Sequence, residues 1–212
     1  MLECKSLTCV RDERVLFNNL NFTVEPGDIL QIEGPNGVGK TSLFRLLVGL
    51  SQPYSGDIFW QEKRITSDRE SYYENVLYLG HKSGVKPELT ALENVCFFQR
   101  LYNPTVEYDV WDILAQVGLA GYEDIPTAQL SAGQQRRVAL ARMWFSDSSL
   151  WILDEPFTAI DKHGVKVIES LLLKHAQTGG MVILTTHQDL SLPIEHYKKL
   201  TLSKKTAETQ YV

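Results

Sequence analysis

The sequence predicts an α/β domain built on a parallel sheet, and three stretches carry that prediction. Residues 29–33 form a short apolar strand. It runs into Gly34-Pro35-Asn36-Gly37-Val38-Gly39-Lys40-Thr41, a glycine loop that opens an amphipathic helical stretch. Residues 150–153 and 181–184 are continuous apolar runs, the pattern of strands buried on both faces. A helical stretch at about 162–176 joins them into a βαβ unit. A chain of 212 residues holds one such domain with a small subdomain, and at 43% apolar residues it can bury a full core.

The remaining elements follow from local pattern. Residues 2–10 read as a strand, Arg11-Asp12-Glu13-Arg14 as a polar turn, and 20–24 as an alternating strand ended by Pro26-Gly27-Asp28. Past the glycine loop, Leu43, Leu46, Leu47 and Leu50 lie at i, i+3, i+4 and i+7. They form one helical stripe, closed by Pro53 and Gly56. A strand pair at 56–65 and a core strand at 76–79 come next. From 90 to 121 the period is helical, clearest at 91–102 and 108–117, with Asn103-Pro104 between them. The chain thus reads as a single domain, with its core at about 1–82 and 140–212 and a helical insertion at about 85–139. Ser131 is placed to N-cap a helix running to Trp144, its hydroxyl accepting an orphan backbone N–H. The polar stretch 203–212 reads as a frayed tail.

Composition narrows the function classes. A net charge of −5 with both signs interspersed argues against a nucleic-acid partner. No uncharged apolar run approaches the roughly 20 residues of a membrane span. The N-terminus, Met1-Leu2-Glu3-Cys4-Lys5, has no apolar signal core, which favours a cytoplasmic protein. Cys4, Cys9 and Cys96 are scattered, with no Cys-x-x-Cys or Cys/His cluster, so they read as reduced core thiols.

Two motifs carry chemistry outright. The segment from Gly34 to Thr41 fits G-x-x-x-x-G-K-[ST] with a strand before it and a helix after it. The backbone from Gly34 through Pro35, Asn36, Gly37, Val38 and Gly39 wraps phosphate oxygens, and the helix start at Lys40, Thr41 and Ser42 adds its partial positive charge. Lys40 reaches the β- and γ-phosphates, and the Thr41 hydroxyl is a Mg²⁺ ligand. Leu150-Trp151-Ile152-Leu153-Asp154-Glu155-Pro156 then delivers two carboxylates at the C-terminal end of a buried strand, where α/β sheets bind ligands. Asp154 is placed to hold Mg²⁺. Glu155 faces the γ-phosphate as the general base for an attacking water.

Between these motifs stands Leu130-Ser131-Ala132-Gly133-Gln134-Gln135-Arg136-Arg137. With this third motif in order, the chain resembles the ATP-binding cassette (ABC) ATPases over nearly its whole length. The resemblance implies a P-loop NTPase: a RecA-like core sheet with an N-terminal antiparallel β subdomain and a helical ABC subdomain. Residues 130–137 then match the family's signature, which completes the ATP site of a second cassette. Ser131, Gly133 and Gln134 would offer an anion site at a helix start to the partner's γ-phosphate. Ala159-Ile160-Asp161 falls at the dimer-contacting D-loop. His187, in Leu184-Thr185-Thr186-His187, falls at the switch histidine that contacts the γ-phosphate and helps organise Glu155 and water. Cofactors implied are ATP and Mg²⁺.

Three positions depart from the family pattern. Ala132 replaces the commoner glycine. Arg11 falls where an aromatic ring usually stacks on adenine; a guanidinium can stack on a base, and a plain turn residue is the open alternative. His81, counted back from Glu93-Asn94, falls at the Q-loop glutamine. It would act near Mg²⁺ and the attacking water and bring pH sensitivity. An ordinary loop histidine is the alternative.

The short cassette, the 7–14 segment, Tyr78-Leu79-Gly80-His81-Lys82-Ser83-Gly84 and the signature resemble one branch, the ATP-binding subunits of cytochrome c maturation. That branch implies a peripheral dimer on the cytoplasmic face of the inner membrane, docked on integral membrane subunits. Its ATP hydrolysis would drive haem handling and release of a haem-loaded chaperone beyond the membrane. Haem is not expected on this chain, which has no Cys-x-x-Cys-His. Val95, Phe97, Phe98, Leu101 and Tyr102 are expected partly as subdomain core and partly as a docking surface. An exporter ATPase of another substrate, or a soluble ABC ATPase, are the remaining readings.

Overall fold

The computed structural model describes residues 1–102, 104, 106–188, 190, 192 and 195–203. The expected tail beyond residue 203 lies outside them. The chain divides into two compact units. The first comprises residues 1–78, 148–154 and, as far as described, those from 175 onward; the second comprises Leu79–Asp147 and Glu155–Lys174.

The first unit holds two sheets. Strands β1 (Leu2–Arg11), β2 (Arg14–Val24), β4 (Ser55–Trp60) and β5 (Lys63–Arg64) form an antiparallel sheet in the order β2-β1-β4-β5. Asp12 and Glu13 make a two-residue turn with φ of 49° and 61°, the left-handed pair that a tight hairpin requires. Strand β2 therefore starts at Arg14 rather than at residue 20. The second sheet has the order β6-β7-β8-β3-β9, built from β3 (Ile29–Glu33), β6 (Val76–Leu79), β7 (Leu150–Asp154), β8 (Met181–Thr185) and β9 (Tyr197–Thr201). The pairs β7–β8, β8–β3 and β3–β9 are parallel. Every residue of β7 and β8 is buried, as their unbroken apolar runs demanded.

Helix α1 (Lys40–Leu47) buries Leu43, Phe44, Leu46 and Leu47 in a core shared with both sheets. The stripe expected to reach Leu50 stops short. The Leu50 N–H bonds back to the Arg45 carbonyl at 2.9 Å, closing the helix, and Leu50 is 62% exposed. A short helix α2 (Arg69–Glu74), capped by the Asp68 carboxylate on the Ser71 N–H, packs Tyr72 into the same core.

The second unit is helical. Helices α3 (Ala91–Tyr102), α4 (Val110–Gln116), α5 (Ala132–Leu140) and α6 (Arg142–Phe145) enclose Val95, Phe98, Ile113, Leu114, Val138 and Phe145. The helix expected from 132 to 144 is broken at Ala141. The Arg142 Nε donates to the Ala139 carbonyl at 3.1 Å, and the Ala141 and Trp144 N–H groups bond three residues back rather than four. Arg136 is buried and donates to the Gly80 carbonyl, and Arg137 donates to that of Gly118 at 2.9 Å. Helix α7 (Lys162–Gln177) links β7 to β8. Among the described residues no helix is long and apolar enough to cross a membrane.

Candidate functional site

The phosphate loop joins β3 to α1. Gly34 has φ of 137°, and a Cβ there would stand 2.6 Å from the Leu202 carbonyl oxygen, so only glycine fits beside the chain leaving β9. Gly39 precedes α1 as its N-cap and provides no side-chain cap. The first N–H groups of α1 are thus left to the loop's own ligand. Lys40 Nζ donates to the Gly34 carbonyl at 2.5 Å and to that of Pro35 at 3.4 Å, so the loop is curled around the ammonium. Pro35, Asn36, Gly37 and Thr41 are exposed, Val38 and Gly39 are buried, and Ser42 is half-buried.

A cavity of about 200 Å³ opens beside this loop. Its lining brings together Gly34, Lys40, Thr186 and His187, with Gln31 and Glu33 from the face of β3. Asp154 is 6% exposed at the end of β7, and its Oδ1 accepts the Thr185 hydroxyl at 2.8 Å. Thr185 belongs to β8, one residue before Thr186 enters the cavity lining. The pairing of β7 with β8 therefore fixes Asp154 relative to the His187 turn. Glu155 follows with φ of 53°, a conformation rare for a residue with a side chain and common where function requires it.

Thr41 and Asp154 suit Mg²⁺. One hydroxyl, one strand-end carboxylate held by a neighbouring hydroxyl, water and phosphate oxygens make the hard-oxygen set this ion takes in nucleotide sites. Among the described residues no group of three or more His, Cys, Asp or Glu side chains is placed to hold a metal ion.

Motif reading passed over the groups that neutralise the strand end. Glu33 stands immediately before the loop, where its charge would repel phosphate. Lys199 of β9 pairs with it at 2.8 Å, and Gln31 Nε2 donates to it at 3.2 Å. The Tyr197 hydroxyl donates in turn to Gln31. Tyr197 and Lys199 of β9 and Gln31 of β3 share no pattern in the sequence, and β9 has no apolar run.

The second-unit residues are placed as follows. Ser131 is the N-cap of α5 and takes part in a capping box. Its Oγ accepts the Gln134 N–H at 3.2 Å, and Gln134 Oε1 accepts the Ser131 N–H at 2.9 Å. Gly133 is half-buried and Ala132 exposed. His81 is exposed in the loop after β6. Arg11, exposed at the end of β1 with Nε 3.8 Å from Asp12, is not among the residues lining the cavity beside the phosphate loop.

The ABC transporter family profile matches residues 17–158, from β2 through the two carboxylates. The chain belongs to the ABC transporter ATPases. Within that family its relatives are consistent in kind. It is 57% identical over 203 residues to the "cytochrome c biogenesis ATP-binding export protein CcmA" of Vibrio cholerae, covering 95% of this chain and 98% of that one. To the protein of the same name from Aliivibrio fischeri it is 56% identical over 204 residues, covering 96% and 100%. The fold matches the cassette MJ0796, solved as a dimer bound to ADP and Pi. That match has a TM-score of 0.79 at 23% identity and covers 99% of this chain and 98% of that one. An ATP-binding subunit of an ABC transporter aligns with a TM-score of 0.79 at 22% identity, covering 96% and 86%. As an ABC ATPase the chain binds and hydrolyses ATP.

Proposed function

We propose that this ATPase drives a step of cytochrome c maturation as a head-to-tail dimer on the cytoplasmic face of the inner membrane. The observation that carries the chemistry is the cavity into which Gly34, Lys40 and His187 converge, with Asp154 locked one residue away through Thr185. The assignment to cytochrome c maturation rests on relatives 56–57% identical over almost the whole chain. Lys40 neutralises phosphate charge, and Thr41 and Asp154 would hold a Mg²⁺ that would neutralise more of it. Glu155 and His187 position the attacking water, and His81 acts beside Mg²⁺. Ser131, Gly133 and Gln134 of a second copy close each site, and Arg11 lies on the adenine side. Loss of the γ-phosphate bridge and the added charge repulsion open the dimer. That opening is transmitted to integral membrane subunits and releases a haem-loaded chaperone; haem itself stays off this chain. The helical second unit is the docking element. Val95 and Phe98 are committed to its core, which leaves the exposed Phe97 and Leu101 as its contacts with the membrane subunits.

The test is Glu155→Gln. A general base contributes on the order of 10² to 10⁴ in rate, so turnover should fall by that factor while ATP binding persists and dimers accumulate with Mg²⁺-ATP. Phosphate release and light scattering read the two effects. A fully active Glu155→Gln protein overturns the assignment of the base. Failure of the wild-type chain to co-purify with membrane proteins overturns the membrane assembly.

A further inference from the structure

The signature's two small positions differ in what surrounds them. Ala132 is exposed and carries a side chain freely. Gly133 does not have that room: a Cβ there would stand 2.6 Å from the Ala159 Cβ and 3.7 Å from the Ala159 carbonyl oxygen. Real carbon–carbon contacts lie near 3.5–4.0 Å, so the Ala159 methyl sits in the space that glycine leaves. Ala159 is not a flexible neighbour that can step aside. Its φ is +60°, a left-handed conformation that a side chain disfavours.

The turn holding Ala159 is tied at both ends. It begins at Glu155, also left-handed with φ of 53°, whose carbonyl accepts the Thr158 N–H at 3.2 Å. It ends at Asp161, whose Oδ1 accepts the Gly164 N–H at 2.8 Å in the first turn of α7. A displacement at Glu155 therefore has few ways to dissipate before it reaches Ala159. Beyond the Ala159 methyl is the backbone of Gly133, one residue before Gln134, whose N–H and side chain make the capping box with Ser131.

We propose that Ala159 is a positioning residue for ATP hydrolysis: its methyl, seated on Gly133, sets the start of α5 according to the state of the Glu155 turn. The residue that activates water in one site is thereby linked, within one chain, to the segment that closes the other site. This rests on the reading that Ser131 and Gly133 act on a partner's nucleotide. Gly133 is required as a receptor for a methyl group, and Ala159 is held in a strained conformation because that methyl must point there.

A methyl swap tests it. Gly133→Ala adds a carbon where none fits, and overpacking of this kind should lower turnover about tenfold or more. Ala159→Gly removes the methyl and should speed amide hydrogen exchange across 131–137. The double variant moves the methyl from one side of the contact to the other. It should recover turnover to within about threefold of wild type, as volume-conserving swaps do, and bring exchange back toward the wild-type rate. Wild-type turnover in Gly133→Ala overturns the proposal, as does a double variant no better than Gly133→Ala. Should Gly133→Ala fail to fold, equal exchange in Ala159→Gly and the double variant overturns the contact by itself. Failure of Glu155→Gln to form ATP-dependent dimers would instead overturn the reading that the signature acts in trans. The exchange swap is measured without nucleotide and separates the two failures.

Discussion

Two helix starts are the proposed anion-binding ends of this chain, and they are built in opposite ways. Helix α1 begins at Lys40 behind a glycine with no side-chain cap, so its first N–H groups are left for an incoming phosphate. Helix α5 begins at Ala132 behind Ser131, and its capping box spends two of those donors internally. The first is a preformed receptor. The second already uses the Ser131 Oγ as acceptor for the Gln134 N–H, so what the serine has to offer a phosphate is its O–H, on an oxygen that the cap holds in place. The difference teaches a division of labour: α1 leaves backbone donors open to the nucleotide of its own chain, whereas α5, in the proposed dimer, offers a second copy's phosphate a side-chain hydroxyl fixed by its cap.

The largest expected effect breaks the open end. Lys40→Ala removes the ammonium that the loop holds through Gly34 and Pro35. Charge-assisted bonds to phosphate contribute about 1.5–3 kcal/mol each, and Lys40 is expected to make two, so ATP affinity should fall by about 100-fold or more. Equilibrium dialysis with ATP reads this directly. An affinity within threefold of wild type would mean that the backbone loop alone holds the nucleotide.

The unit bearing the open end has a second vulnerability, to acid. His175 stacks on Trp151 of β7, with ring centroids 3.9 Å apart and 7° between planes, and its Nε2 lies buried close to Gly180. Burial pushes its pKa down from 6.5 to about 4. The native state holds this ring neutral while the unfolded chain protonates it. Its contribution is thus complete above pH 6.5 and is lost as pH falls from 6.5 toward 4. Between pH 8 and pH 5 this amounts to about 2 kcal/mol. His175→Phe keeps a ring on Trp151 and cannot titrate. Urea midpoints for the variant should change less with pH over that window; an unchanged pH dependence would place the acid sensitivity elsewhere.

A smaller effect is expected at the capped end. Ser131→Ala removes the acceptor for Gln134 N–H and should cost about 1 kcal/mol of stability. Its effect on turnover should be larger than on ATP binding by the isolated chain if, as proposed, the hydroxyl serves the other copy's nucleotide. A variant that loses stability but keeps turnover would reduce Ser131 to a helix cap, and the contrast between the two starts would lose its functional half.

Much of this contrast was legible in the sequence because it depends on local chemistry. G-x-x-x-x-G-K-[ST] after an apolar strand fixes an uncapped helix start, and serine before a helical stretch fixes a capped one. The parallel strands β7 and β8 were legible because burial on both faces leaves an unbroken apolar run. What was missed depends on long-range pairing. Strand β9 carries Tyr197, Lys198 and Lys199 and has no periodic signal; only its place beside β3 makes it a strand. The buried Thr185, which holds Asp154, reads as an ordinary strand residue until β7 and β8 are set in register. The length of α5 was misjudged because one arginine side chain, Arg142 on Ala139, competes for a carbonyl that the next turn would have used. Gly133 and Ala159 lie 26 positions apart in sequence, and no motif joins them.

The smallest expected effect refines the open end rather than breaking it. Lys199 pairs with Glu33 at 2.8 Å, with side chains 40% and 33% exposed, so solvent screens much of the interaction. Pairs exposed to this degree contribute at most about 1 kcal/mol, which sets a ceiling near fivefold on ATP affinity. Lys199→Gln should weaken ATP binding by about two- to threefold, because Glu33 then presents an uncompensated charge next to Gly34. Glu33→Gln in the same chain should restore it, since the repelling charge is gone together with its partner. Both effects should shrink at high salt, where screening shortens the range of the carboxylate's field. If Lys199→Gln weakened binding equally with and without Glu33→Gln, Lys199 would be acting on the nucleotide itself, and β9 would supply a positive charge to the open helix start in its own right.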